Sequence, residues 1–233
     1  MHKRYLLASA ALAVLAPGQA QARELYVTVL GGANWWESQR QTGTEPSTII
    51  NFETDTGFVI GGAVGLHLDK WLKGLRTEIE ASYHRNNFDG NWITSESSVG
   101  TVDGSVSAFA LMANVWYDVD IGSKVKPYLG GGAGWCRSHV NVEILTSDGA
   151  TRSGDGTDSF DATGFCWQVG AGFNYPVMHG VDLGIGYRYR VEPRLTFKND
   201  GGEFGGEGFG GEDPYTKDNN NHMVAINLTI DIE

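Results

Sequence analysis

The stretch Val181-Asp182-Leu183-Gly184-Ile185-Gly186-Tyr187-Arg188-Tyr189-Arg190 separates into two alternating sets. Val181, Leu183, Ile185, Tyr187 and Tyr189 fall on one side, and Asp182, Gly184, Gly186, Arg188 and Arg190 on the other. Side chains alternate across an extended backbone, so this pattern is a β-strand with one apolar face and one face of charges and glycines. The alternation recurs. Phe58, Ile60, Val64, Leu66 and Leu68 oppose Val59, Gly61, Ala63, Gly65 and His67. Leu75, Thr77, Ile79, Ala81 and Tyr83 oppose Arg76, Glu78, Glu80, Ser82 and His84. Phe109, Leu111, Ala113, Val115 and Tyr117 oppose Ala108, Ala110, Met112, Asn114, Trp116 and Asp118. Val224, Ile226, Leu228, Ile230 and Ile232 oppose Ala225, Asn227, Thr229 and Asp231.

Outward from these stretches the chain divides into eight β-like segments, at 24–35, 56–68, 74–86, 105–118, 126–141, 161–175, 181–196 and 221–232. The connections alternate in kind. Those at 36–55, 87–104, 142–160 and 197–220 are long and polar, whereas those at 69–73, 119–125 and 176–180 are short. Long loops on one rim and short turns on the other, with both chain ends at the short-turn rim, is the arrangement of an outer-membrane barrel. The expected fold is therefore all-β, an eight-stranded antiparallel up-and-down transmembrane β-barrel.

Alternation alone does not say which face is inside, because a soluble lipocalin-type barrel turns its apolar face inward. Three features favour the inverse. The polar face interleaves charges with Gly130, Gly132, Gly134, Gly170, Gly172, Gly184 and Gly186, as a narrow lumen requires when large and small residues must interdigitate. Aromatic residues collect near the segment ends: Trp71, Tyr117, Tyr128 and Tyr175 at the short-turn rim, and Trp35, Trp36, Tyr83, Trp167, Tyr187 and Tyr189 towards the long loops. Two such girdles mark the two membrane interfaces. Finally, a soluble barrel with four long loops is expected to bring a ligand or a helix, and no amphipathic helical segment is evident in the sequence.

The N-terminus fits export. His2, Lys3 and Arg4 precede an apolar run from Tyr5 to Leu15, followed by Pro17-Gly18 and Ala20-Gln21-Ala22, the order of a cleaved secretory signal. Residues 1–22 are read as that signal and 23–233 as the barrel domain. The apolar run is shorter than the roughly 20 residues of a transmembrane helix, so a membrane-embedded mature chain has to be a closed barrel. Cleavage would take the formal charge from −11 to about −13, which argues against nucleic acid as a partner.

At Ala110-Leu111-Met112-Ala113-Asn114-Val115-Trp116-Tyr117-Asp118, then Lys126-Pro127-Tyr128-Leu129-Gly130-Gly131-Gly132-Ala133-Gly134, the chain resembles the small opacity/porin-like outer-membrane β-barrel family. Phe165 to Tyr175 and Gly184-Ile185-Gly186-Tyr187-Arg188-Tyr189 are similar to later strands of that family. The resemblance implies an eight-stranded barrel related to the OmpA membrane domain, placed in the outer membrane of Gram-negative and especially alphaproteobacterial cells. There such proteins act as surface antigens, adhesins or envelope-stabilising proteins. It also implies assembly by the barrel-assembly machinery, which usually reads a C-terminal aromatic residue. This chain instead ends Ile230-Asp231-Ile232-Glu233.

If the polar faces point inward, Arg76, Glu78, Glu80, Asn114, Asp118, Gln168, Asp182, Arg188 and Arg190 share a lumen, joined by His67, Asn174, Asn227 and Asp231. Buried charges need partners, so these residues are expected to form a paired polar plug rather than a catalytic cleft; a conducting path along them is the alternative. Cys136 and Cys166 fall on inward parity, equidistant from the loop centre near residue 151, so a simple hairpin register sets them directly opposite one another. A cross-strand disulfide is then reasonable, and the alternative is two small inward residues that stay reduced. The acidic, glycine-rich loops, including Ser147-Asp148-Gly149, Asp155-Gly156-Thr157-Asp158 and the stretch from Asn199 to Asp213, match no calcium-loop spacing and read as solvated surface. His84, His139 and His222 are the histidines nearest the outer rim. Ser138 and His139 are adjacent on one strand and so face opposite ways, which excludes them as a nucleophile and base pair.

No catalytic, cofactor or metal residues are assigned. The sequence reads as a non-enzymatic surface barrel whose loops meet lipopolysaccharide and a host or envelope ligand. The alternatives are a narrow porin-like channel, a lipid-modifying enzyme and a soluble periplasmic barrel.

Overall fold

The computed structural model describes residues 25–36, 40–42, 49–93, 99–146, 157–197 and 215–232. The signal segment 1–22 lies outside the described residues, as do the acidic loop residues 147–149, 155–156 and 199–213. Strands are β1 (Leu25–Trp36), β2 (Arg40–Thr42), β3 (Ile49–Thr54), β4 (Gly57–His67), β5 (Leu75–Ile93), β6 (Val99–Asp118), β7 (Lys126–Thr146), β8 (Thr157–Met178), β9 (Val181–Phe197) and β10 (Tyr215–Asp231). Eight of them form the wall. Each pairs antiparallel with its neighbours, and β1 closes the ring against β10 from Tyr26↔Asp231 to Trp36↔Asn221. Closure gives every wall strand a partner on both sides, so the spanning wall can sit in hydrocarbon with its backbone satisfied.

The facing is inside out for a water-soluble protein. Val29, Ile60, Val115, Ile185 and Ile226 are more than half exposed on the outer wall, while Glu80, Asn114 and Arg190 are wholly buried. The inverse facing, with the apolar side inward, is thereby excluded. Each short turn carries one glycine in the left-handed region: Gly74 (φ 86°), Gly122 (φ 71°) and Gly180 (φ 69°). Side chains other than glycine rarely adopt that conformation.

Two expectations are corrected. First, the strands run further than the sequence suggested. The connection 87–104 is largely a hairpin, paired from Asn87↔Ser105 to Ile93↔Val99. β7, β8 and β10 likewise extend into the supposed loops. The outward apolar run ends at Tyr83, Phe109 and Trp135, beyond which Arg85, Ser107 and Arg137 take over, but backbone pairing needs no apolar side chain and continues. Second, the first long connection is not simply a loop. It holds β2 and β3, and β3 continues the wall by pairing with the outer part of β5. Between β3 and β4 the register on β5 slips by one residue, from Thr54↔Phe88 to Phe58↔Arg85, so Asp55, Thr56 and Gly57 face only two partner residues. This is a β-bulge at the outer end of the spanning wall.

Candidate functional site: the barrel lumen

Even-numbered positions of β5 and β9 point inward, which places Arg76, Glu78, Glu80, Arg188 and Arg190 in one interior. At the short-turn end, Arg76 donates from Nε to Asp118 Oδ2 at 2.9 Å and lies 3.9 Å from Glu78 Oε2. Glu78 accepts from Tyr26 Oη at 3.0 Å, from Trp116 Nε1 at 2.7 Å and from Asn114 Nδ2 at 3.1 Å. The Arg76 guanidinium stacks over Tyr128 and Tyr26, at 5.3 and 5.8 Å from their ring centres. Asn174 donates to Asp118 at 3.2 Å and accepts from Asn227 at 3.3 Å, and His67 contacts Asp231 at 3.1 Å at the mouth.

The middle layer centres on Glu80. It accepts from Arg188, from Arg190 Nη2 at 3.2 Å and from Asn114 Nδ2 at 2.9 Å. Gln168 links the same groups, donating to Asn114 at 2.8 Å and accepting from Arg190 at 2.9 Å. Arg188 also covers the Trp116 ring at 5.1 Å. Two guanidinium groups around one carboxylate, each with further partners, is how a buried charge set avoids the cost of unpaired ions. Asp182 is not drawn into this set. It stays half-exposed at the short-turn mouth, with no cation in ion-pair distance among the described residues.

The sequence placed His84 on the polar face but missed the outer layer that surrounds it. His84, Asn34, Asn86 and Asn221 are fully buried, with Asn34 donating to Asn86 at 2.5 Å and Asn221 beside His84 at 3.1 Å. Glu192 lies 3.4 Å from His84 and accepts from Ser138 at 3.0 Å. The signal was available in the parity of β9, since Glu192 follows Arg188 and Arg190 at the same spacing. Parity also corrects two members of the expected aromatic girdles. Trp36 turns inward and donates to Asn86 at 2.9 Å. Tyr128, in step with Gly130 and Gly132, is buried against Trp116 at 5.6 Å. Trp71, Tyr117 and Tyr175 remain exposed at one rim, and Trp35, Trp167 and Tyr187 at the other. His222 joins the outer set, its ring parallel to Trp35 and its Nδ1 at 2.6 Å from Tyr187 Oη. His139 faces outward and contacts Asp161 at 3.0 Å, on the opposite side of the wall from Ser138.

Cys136 and Cys166 are joined by a disulfide with their Cα atoms 5.8 Å apart. They are not directly opposite, however. Cys166 pairs with Gly134 and Cys136 with Gly164, so the bridge runs diagonally. The register follows from ring closure rather than from the loop midpoint, and each cysteine faces a glycine that leaves its side chain room.

Glycines finish the packing. A Cβ on Gly132 would fall 2.0 Å from Asn114 Oδ1, and one on Gly186 would fall 2.0 Å from Tyr128 Oη. Tyr26, Met112, Trp116, Gln168 and Arg190 are all within a percent or so of complete burial, so side chains fill the cross-section. What this arrangement provides chemically is a buried, charge-paired interior.

Comparison with known proteins agrees with this architecture. Residues 5–228 match the family described as outer membrane protein beta-barrel domain. An uncharacterized protein of Brucella abortus (strain 2308) is 26% identical over 215 residues, covering 76% of this chain and 69% of the relative. The crystal structure of Neisserial surface protein A superposes with a TM-score of 0.51 at 17% identity, covering 89% of this chain and 97% of that one. That of OprG from Pseudomonas aeruginosa gives 0.48 at 12% identity, covering 89% and 97%. With a closed eight-stranded wall, an apolar exterior and a family match across nearly its whole length, the chain belongs to the outer-membrane β-barrel domain family and resides in the outer membrane.

Proposed function

We propose that the protein is a non-enzymatic surface scaffold, a sealed barrel that holds an extended extracellular crown of strands and loops for contact with lipopolysaccharide and with a host or envelope ligand. The observation that carries this reading is the wall-to-wall polar plug of Glu80, Arg188, Arg190, Asn114 and Gln168, backed by Trp116 and Tyr26. A conducting path would require these charges to line water, whereas here they are paired with one another. A catalytic role finds little support, since Ser138 donates a hydrogen bond to Glu192 in the buried interior, away from any substrate. Assembly through the barrel-assembly machinery belongs to the same proposal.

Planar-bilayer recording of the purified protein tests it. Silence at moderate salt and voltage is the expected result, and discrete conductance steps would replace the scaffold by a narrow channel. A lipid A mass spectrum unchanged between cells lacking and overproducing the protein is expected as well; a mass shift would establish a lipid-modifying enzyme instead.

A further inference from the structure

The bulge between β3 and β4 opens a cleft of about 540 Å³ on the outer wall, lined by Thr56, Gly57, Phe58, Arg85 and Asn87. We infer that this cleft seats a phosphate of an outer-leaflet glycolipid, with the Arg85 guanidinium as its anion-binding group. The inference rests on the scaffold reading above and names one partner for the outer wall.

Four observations support it. Arg85 faces outward on the spanning wall and donates a long hydrogen bond, 3.5 Å, to Ser105 Oγ. Among the described residues no carboxylate lies in ion-pair distance of it, in contrast to Arg76, Arg188 and Arg190 inside and Arg137 outside, which contacts Asp161 at 3.4 Å. A guanidinium left without an acid in an acidic protein is matched to a phosphate, which it can bind with two parallel N–H donors.

Its position is also that of a headgroup. Tyr83, two residues nearer the membrane centre on the same face, packs against Phe58 with ring centres 6.1 Å apart. Phe58 and Ile60 are 46% and 55% exposed on the lipid-facing side. Acyl chains can therefore lie over Phe58 and Ile60 while the phosphate reaches Arg85, at the level where interfacial aromatic residues mark the boundary.

The cleft is built by the fold as well. The extra residue at Asp55–Thr56 interrupts the pairing on β5 between β3 and β4, and Gly57 lets the two strands approach there, since a Cβ on it would fall 2.0 Å from the Arg85 carbonyl oxygen. Thr56 and Asn87 supply hydroxyl and amide groups at the same lip.

Finally, the solvent side is acidic. Asp55, Asp89 and Asp103 are exposed beyond the cleft, with Asp89 and Asp103 directly paired across β5 and β6. These carboxylates weaken the hold of Arg85 on any phosphate, so acyl-chain contact over Phe58 and Ile60 has to add to the binding. This favours a membrane-borne phosphate over a free one.

The full chain in detergent micelles is titrated with bisphosphoryl lipid A and with the same lipid stripped of phosphate, and binding is counted by native mass spectrometry. The phosphorylated lipid is expected to bind about tenfold more tightly, the scale of one charge-assisted contact. Arg85→Gln should bring the ratio close to one, Arg85→Lys should keep part of it, and Asn87→Asp should lower it with the arginine intact. An unchanged ratio in Arg85→Gln overturns the site. Displacement of the lipid by inorganic phosphate at equal concentration overturns the lipid assignment. Heat-modifiable migration and bilayer silence are read on the same samples, and their loss would instead indicate failure of the scaffold reading.

Discussion

At the scale of single residues, Glu80 is the group on which most of the interior charge depends. Replacing it by alanine leaves Arg188 and Arg190 buried without their shared carboxylate. Breaking such a set by removing one partner costs about 3 to 5 kcal/mol. Equilibrium unfolding of Glu80→Ala by urea in lipid vesicles should show a loss of that order. Glu80→Gln, which keeps the shape and part of the hydrogen bonding, should lose less. The turn glycines permit a cleaner comparison. Gly122 has nothing within 4 Å of an added Cβ, so Gly122→Ala carries only the cost of its positive φ, about 1 kcal/mol. At Gly74 the added Cβ would also meet the Asp118 carbonyl oxygen at 2.2 Å. Gly74→Ala should therefore destabilise clearly more than Gly122→Ala in the same assay, and equal effects would show that the turn backbone relaxes freely.

At the scale of elements, the disulfide ties β7 to β8 across a separation of 30 residues. Constraint of the unfolded chain by a bridge of this kind contributes about 2 to 4 kcal/mol. Cys136→Ser with Cys166→Ser is expected to lower the unfolding midpoint while leaving the native fold and its hydrogen-exchange pattern in β1, β4 and β10 unchanged. Mass spectrometry under non-reducing conditions checks the bridge itself, since two free thiols add two hydrogens. The long pairs β5–β6 and β7–β8 have a further meaning. They carry regular backbone pairing past the apolar belt, as in Asn87↔Ser105 and Asn141↔Ser159, so the surface the protein presents begins as stiff sheet rather than loose loop. That stiffness suits a scaffold, because a contact surface already ordered loses less entropy on binding.

At the scale of the whole molecule, the decisive question is which solvent touches the outer wall. Ile226 is 58% exposed on β10. On a water-soluble protein a charged substitution there would be nearly neutral, but near the bilayer midplane Arg on a barrel's lipid face costs about 2 to 4 kcal/mol. Ile226→Arg should destabilise the vesicle-inserted protein by that order in a urea titration, and a nearly neutral effect would show that water rather than lipid touches the outer wall. Amino-acid order alone determined the extended backbone and the facing of nearly every side chain, because a period of two is a local property of a strand. The corrections to Trp36 and Tyr128 come from the same rule applied to its end, since both share parity with inward neighbours such as Asn34 and Gly130. Tertiary structure alone decided the register, the strand ends and the extra pairing of β3 on β5. The diagonal Cys136–Cys166 bridge, the gathering of Arg188, Arg190 and Asn114 on Glu80, and the cleft beside Arg85 all depend on how far each strand slides against the next. That slide is settled only when β1 meets β10, a condition on the whole ring that no single segment contains.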